Sequence, residues 1–152
     1  MERFEISFRE KGQTPDGGAV VMWNTQPDGG KIASGEAALI EQGEGKNQRI
    51  IYAAVPEWTG GERGEMEALS SCCHAALRLT EERGIQTVNF SSAPEKYPIS
   101  QAATVMERAI MSSLQESPGI TRVRILCDSN SEEKVYRMTY NLWYAERKSD
   151  RL

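Results

Sequence analysis

A chain of 152 residues has the length of one domain with room for a sizeable core. Hydrophobic residues at 39% and charged residues at 26% fit a globular protein and exclude a disordered tail or a membrane-embedded bundle. The net charge of −4, from 18 basic and 22 acidic residues, argues against sequence-independent nucleic-acid binding, which needs a phosphate-neutralising surface.

The chain starts "MERFEISFRE", charged from its second residue, which does not read as a signal peptide. Within it, Phe4, Ile6 and Phe8 alternate with polar neighbours, the pattern of a strand with one buried face. "QTPDGG" is a turn by composition, and "AVVMW", Ala19 to Trp23, is a short apolar run that predicts a strand covered on both faces. Asn24 to Gly35 reads as a loop. Glu36 to Gln42, "EAALIEQ", reads as a short helix closed by Gly43. "RIIYAAV", Arg49 to Val55, is the next buried strand, stopped by Pro56, which has no N–H to donate to a ladder.

After Pro56-Glu57-Trp58 and the Gly60-Gly61 pair comes the clearest helix. Met66, Leu69, Cys73, Ala76 and Leu77 form its apolar stripe, and Gly84 supplies its C-terminal cap. "IQTVNFS" is a strand. Ser100 is placed to cap a second helix bearing Ala103, Met106, Ile110 and Leu114, which ends at Pro118-Gly119. "TRVRILC" is a strand with Val123, Ile125 and Cys127 on one side. Ser131 opens a last helix with Val135, Met138 and Leu142. Strands alternating with amphipathic helices predict a mostly parallel sheet in a three-layer α/β/α sandwich. Ligands of such sheets bind beyond the carboxyl ends of the strands. Four loops lie there: Asn24–Gly35, Pro56–Glu65, Ser91–Pro98 and Asp128–Ser131.

The stretch "IIYAAVPEW" resembles the macro-domain strand usually written I-I-H-A-V-G-P-x-W, with Pro56 and Trp58 matching and Tyr52 at the histidine's place. "EERG", "TVNFSSAPEKYPISQAATVMERAI" and "VRILCDSNSEEKVY" are similar, in order, to that family's helix end, phosphate loop with its helix, and last strand and helix. The resemblance covers about Arg49 to Leu142 and rests on the ordered set of signals. The first half departs from the pattern. Asn24, Gly29 and Gly30 are kept and Ile32 stands where the family has Val, but one asparagine, part of the glycine run and most of a further helix and strand are missing. The family's Ser-Thr-Gly-Ile-Tyr-Gly, whose backbone wraps a diphosphate, is replaced by "SSAPEKYP", Ser91 to Pro98. Cys127 stands where an aromatic usually precedes the final Asp, here Asp128.

Each candidate feature has a plain reading beside its functional one. Gly29-Gly30-Lys31 presents N–H groups and a positive charge to phosphate, or is an ordinary turn after Pro27-Asp28. Ser91, Ser92 and Ala93 allow close approach of a ligand, or form a plain connection in which Pro94 removes a donor. Lys96 offers a point charge in place of lost backbone donors. Asn24 orients a ribose, as the resemblance implies, or caps a turn; Asp128 touches ligand or begins an Asx turn. Cys72-Cys73-His74 invites a metal or nucleophile reading, but adjacent helical side chains diverge by about 100° and do not easily converge on one ion, and the mid-helix position with Cys73 on the apolar stripe favours core packing. The "NFS" sequon at Asn89 falls in an expected buried strand. Trp143 and Tyr144 are expected to cover the core edge.

The resemblance thus implies a contracted, macro-like α/β domain over residues 1–145 with a charged tail at 146–152. It implies binding of ADP-ribose or a related nucleotide diphosphate, free or on an ADP-ribosylated protein, with weak or absent hydrolysis. The rivals are an active ADP-ribosyl or O-acetyl-ADP-ribose hydrolase and an interaction scaffold without ligand. The implied site is Asn24, Gly29, Gly30, Lys31, Ile32, Ser91, Ser92, Ala93, Lys96, Tyr97 and Asp128. No catalytic residue is assigned, no metal, cofactor or membrane is expected, and an odd count of three cysteines points to reduced thiols and the cytoplasm.

Overall fold

The computed structural model describes residues 4–8, 18–24, 32–43 and 48–149. Six strands, β1 (Phe4–Phe8), β2 (Ala19–Asn24), β3 (Ala37–Gln42), β4 (Gln48–Ala54), β5 (Thr87–Ser91) and β6 (Arg122–Cys127), form one sheet in the order β1-β6-β5-β2-β4-β3. All neighbours pair in parallel except β3, which runs antiparallel to β4 at one edge. Helix α1 (Glu65–Glu82) carries the chain from β4 to β5, and α2 (Ile99–Leu114) from β5 to β6. Parallel strands need such crossovers, because a tight hairpin only joins antiparallel ones. Helix α3 (Asn130–Ser149) follows β6 and packs against it and β1. It reaches into the residues expected as a tail.

The expected α/β class with a mostly parallel mixed sheet is the one observed. Helix α1 packs on α2, and α2 on α3. A sheet would separate helices on opposite faces, so the three share one face. Against them lie the fully buried Val21, Ile51, Ala53, Val88, Phe90, Val123 and Ile125. Of the two helical layers of a sandwich, the described residues supply this one. On the other face Met22 and Ile40 are each 44% exposed. Among the described residues, then, the run Ala19 to Trp23 is covered on one side, where its composition predicts cover on both.

Three local expectations change. The segment "EAALIEQ" is not a helix but strand β3, paired from Ala37↔Ala53 to Gln42↔Gln48. Seven residues are too few for a stable isolated helix, and pairing along β4 decides the matter. Gly43 then serves a turn, with φ 87°. Neither Ser100 nor Ser131 caps its helix: α2 starts at Ile99 behind Pro98, and before α3 the Ser129 hydroxyl accepts the Glu132 N–H at 3.2 Å. Helix α3 also turns a different ridge inward. Met138 and Leu142 are exposed, while Tyr136 is fully buried and the Tyr140 ring meets Phe4 at 5.5 Å. Both ridges satisfy a 3.6-residue period, and the phenols win because α3 lies on the border of the sheet.

The helix α1 fits its prediction. Leu69, Cys73, Ala76 and Leu77 are buried, and Gly84 at φ 69° donates its N–H to Glu81 O, closing the last turn.

Candidate functional site

The carboxyl ends of β2, β4, β5 and β6 lie along one rim of the sheet, and the connections leaving β4 and β5 touch. Strand β2 sits between β4 and β5. At its end the Asn24 carbonyl accepts the Val55 N–H at 3.0 Å. The Trp23 indole N–H donates to the Ser92 carbonyl at 2.8 Å, and the Ser91 hydroxyl donates to the Val21 carbonyl at 2.8 Å. Asn24 and Ser91 to Ala93 thus stand at neighbouring strand ends, tied by bonds that span about seventy residues of sequence.

The connection from β5 to α2 is held from below by α3. The buried Tyr136 hydroxyl accepts the Ala93 N–H at 2.8 Å and lies 3.2 Å from the Ser92 hydroxyl. Further on, Lys96 has φ 71°, and it is the one non-glycine with positive φ among the described residues. That conformation suits glycine and costs other residues about 1 kcal/mol. The Lys96 ammonium reaches the Glu57 carboxylate at 3.3 Å. Next to it the Tyr97 hydroxyl donates to the Pro56 carbonyl at 2.6 Å, and the Tyr97 and Trp58 rings lie 5.2 Å apart. The connections after β4 and β5 therefore meet across the end of β2.

The turn from Pro56 into α1 is organised by one carboxylate. Glu65, buried at the first position of the helix, accepts N–H bonds from Thr59 at 3.0 Å, Gly61 at 2.9 Å and Arg63 at 2.7 Å. The bond from Thr59, with those from Gly61 and Arg63, outweighs burial and lowers its carboxyl to about 2. No side chain caps the helix at Gly64, whose φ is 74°. The glycines let the chain fold back so that its amides point at Glu65. Gly61 also lies under the Trp58 ring, where a Cβ would come within 2.8 Å of the indole.

Among the expected site residues, Asn24, Ser91, Ser92, Ala93, Lys96 and Tyr97 gather on this rim. Asp128 is exposed at the end of β6, one strand further out, and its N–H donates to the Glu132 carboxylate at 3.3 Å. Ile32 is half-buried before β3. Gly29, Gly30 and Lys31 lie outside the described residues. The sequence reading missed Trp23, Glu57, Glu65 and Tyr136. Only Glu65 left a local signal, an acidic residue at a helix start behind a glycine-rich turn.

The cysteine–histidine triplet builds no reactive centre. The Cys72 thiol donates to the Ala54 carbonyl at 3.1 Å, and burial pushes it up to about 12. Burial raises Cys73 well above the usual thiol range too. His74 instead pairs through Nδ1 with the Ser113 hydroxyl. Both border a groove of about 380 Å³ with Arg78, Glu81 and Glu116, near the ends of α1 and α2 remote from the rim. No three His, Cys, Asp or Glu side chains among the described residues are arranged to hold a metal. None of the described helices is long and apolar enough to cross a membrane.

The sequence model of the macro domain matches residues 22–106, more than half of the chain. A macro domain-containing protein of Chlorobaculum tepidum is 31% identical over 111 residues, covering 71% of this chain and 64% of that protein. An O-acetyl-ADP-ribose deacetylase of Enterobacter sp. is 28% identical over 71% of this chain and 62% of its own. The chain spans a little under two thirds of the length of these relatives. The Oceanobacillus iheyensis macrodomain with ADP superposes with a TM-score of 0.66 at 22% identity, over 76% of this chain and 62% of that one. The Trypanosoma brucei macrodomain in complex with ADP-ribose gives 0.58 at 18% identity, over 68% and 44%. At such identities the likeness is one of fold.

Proposed function

The chain belongs to the macro domain family, and from that premise we propose that it binds ADP-ribose or a related nucleotide diphosphate on the rim built by Asn24 and Ser91 to Tyr97, with weak or absent hydrolysis. The observation that carries this reading is the meeting of the connections after β4 and β5 at the end of β2, through Tyr97–Pro56, Trp23–Ser92 and Val55–Asn24. Small residues there let a phosphate approach backbone, and Lys96 brings charge. Asn24 would orient the ribose, and Gly29, Gly30, Lys31 and Ile32 would complete the site. Solved macrodomains carrying ADP and ADP-ribose support the ligand class.

The donors already engaged within the protein support the reading of weak hydrolysis. The Ser91 hydroxyl proton is engaged by Val21 O, the Ala93 N–H by Tyr136 and the Tyr97 hydroxyl by Pro56 O. These three donors are therefore not at hand to position a water against an ester or glycosidic carbon. The relative named as a deacetylase favours the rival reading of an active hydrolase. An ADP-ribosylated protein would be the natural large partner, and the cytoplasm the natural compartment.

Thermal denaturation with and without ADP-ribose tests the reading. A ligand at a hundred times its dissociation constant stabilises by about 2.7 kcal/mol. No shift at millimolar ADP-ribose leaves a scaffold without ligand. Release of ADP-ribose from a modified protein, abolished by Asn24→Ala, would instead establish the hydrolase.

A further inference from the structure

We propose that Glu57 tunes the charge selectivity of the rim by holding the Lys96 ammonium until a ligand phosphate displaces it. This rests on the nucleotide reading above. Lys96 is the only cation between Ser91 and Tyr97, and its left-handed backbone fixes where the side chain starts. Its ammonium sits 3.3 Å from Glu57 Oε1. The residues beside the pair are firmly joined, Tyr97 to Pro56 by a hydrogen bond of 2.6 Å and Tyr97 to Trp58 by ring contact. The two charged tips are different: the Lys96 side chain is 63% exposed and that of Glu57 48%. An exposed pair of this kind is held weakly, so Lys96 changes partner at small cost.

The rest of the rim makes that exchange matter. The Ala93 N–H and the Ser91 and Tyr97 hydroxyls are already committed to partners within the protein. Lys96 is the one charged donor of this connection, and Glu57 is its standing competitor. A ligand with phosphate outcompetes one carboxylate; an uncharged nucleoside does not. Glu57 thus lowers affinity for phosphate-bearing ligands and is indifferent to a bare nucleoside.

Calorimetric titration of ADP-ribose and adenosine into the unsubstituted protein, Glu57→Gln, Lys96→Ala and the double variant tests this. At low salt, Glu57→Gln should tighten ADP-ribose about two- to fivefold, Lys96→Ala should weaken it, and Glu57→Gln added to Lys96→Ala should bring no gain. The gain should fade at 0.5 M salt, where the screening length is only about 4 Å. Adenosine should respond to none of the changes. An unchanged affinity in Glu57→Gln overturns the proposal. So does a gain that persists without Lys96, which is plain repulsion of the anion, or an equal gain for adenosine. If the unsubstituted protein binds ADP-ribose and only these differences fail, the nucleotide reading stands. If it does not bind ADP-ribose at all, both fall.

Discussion

The Tyr136 hydroxyl, on α3, accepts the Ala93 N–H at 2.8 Å, forty-three residues back along the chain. A core side chain thereby sets the conformation of a connection on the rim. Burial raises its phenol above the usual range, so it stays protonated at neutral pH. Its second neighbours are the Ser92 hydroxyl and the Met106 sulfur.

Tyr136→Phe keeps the ring and removes that acceptor. The loss of a bond to a partly buried amide should cost about 1–2 kcal/mol in urea unfolding. The Ser91–Pro98 amides should exchange hydrogen faster, while α1 amides keep their protection. Equal protection in both proteins would show that the phenol merely fills space.

Glu65→Gln probes the turn into α1. The carboxyl is held at about 2 against an ordinary 4.5, so its contribution is complete above pH 4.5 and is lost as the pH falls through about 2. The variant should melt at a lower temperature at pH 7. Its stability should also fall less steeply than that of the unsubstituted protein between pH 4.5 and 2. Parallel acid limbs would remove Glu65 as their source.

Glu107 has the opposite sign. It is 2% exposed on α2, and neither carboxylate oxygen has a hydrogen-bond partner among the described residues. Burial pushes it up to about 8. A raised carboxyl stabilises fully below its ordinary 4.5, and that contribution declines as the pH rises through 8. Glu107→Gln should therefore be more stable than the unsubstituted protein at pH 9, by roughly a few kcal/mol, with little difference at pH 5. Chemical denaturation at the two pH values gives the answer.

Gly18→Ala should be severe. The residue precedes β2 with φ 77°, and an added Cβ would stand 2.4 Å from the Thr87 carbonyl oxygen at the start of β5. Backbone cannot yield as a flexible side-chain tip does. A loss of roughly 2 kcal/mol or more is expected in the unfolding free energy.

Much of the architecture was legible because it is local. The apolar runs Ile50 to Val55 and Val123 to Cys127, the stripe of α1 and the glycine behind it each carry their own signal. The segment "AALIEQ" does not, since alanine, leucine, glutamate and glutamine favour a helix and only the neighbouring β4 makes it a strand. The chosen ridge of α3 was hidden for a similar reason: a helix on the border of a sheet offers two apolar faces, and the sequence does not say which one the strands meet. On the rim, the places of Asn24 and Ser91 at strand ends were readable from the apolar runs that precede them. Glu57 and Tyr136 were not, because their partners Lys96 and Ala93 are 39 and 43 residues distant.

All three cysteines are buried and free, and burial raises each thiol, Cys127 to about 12. A folded molecule should thus ignore Ellman's reagent, while an opened one gives up three equivalents of colour. Chromophore release at neutral pH becomes a clock for global opening that needs no label, and it can follow every substitution above in a plain spectrophotometer.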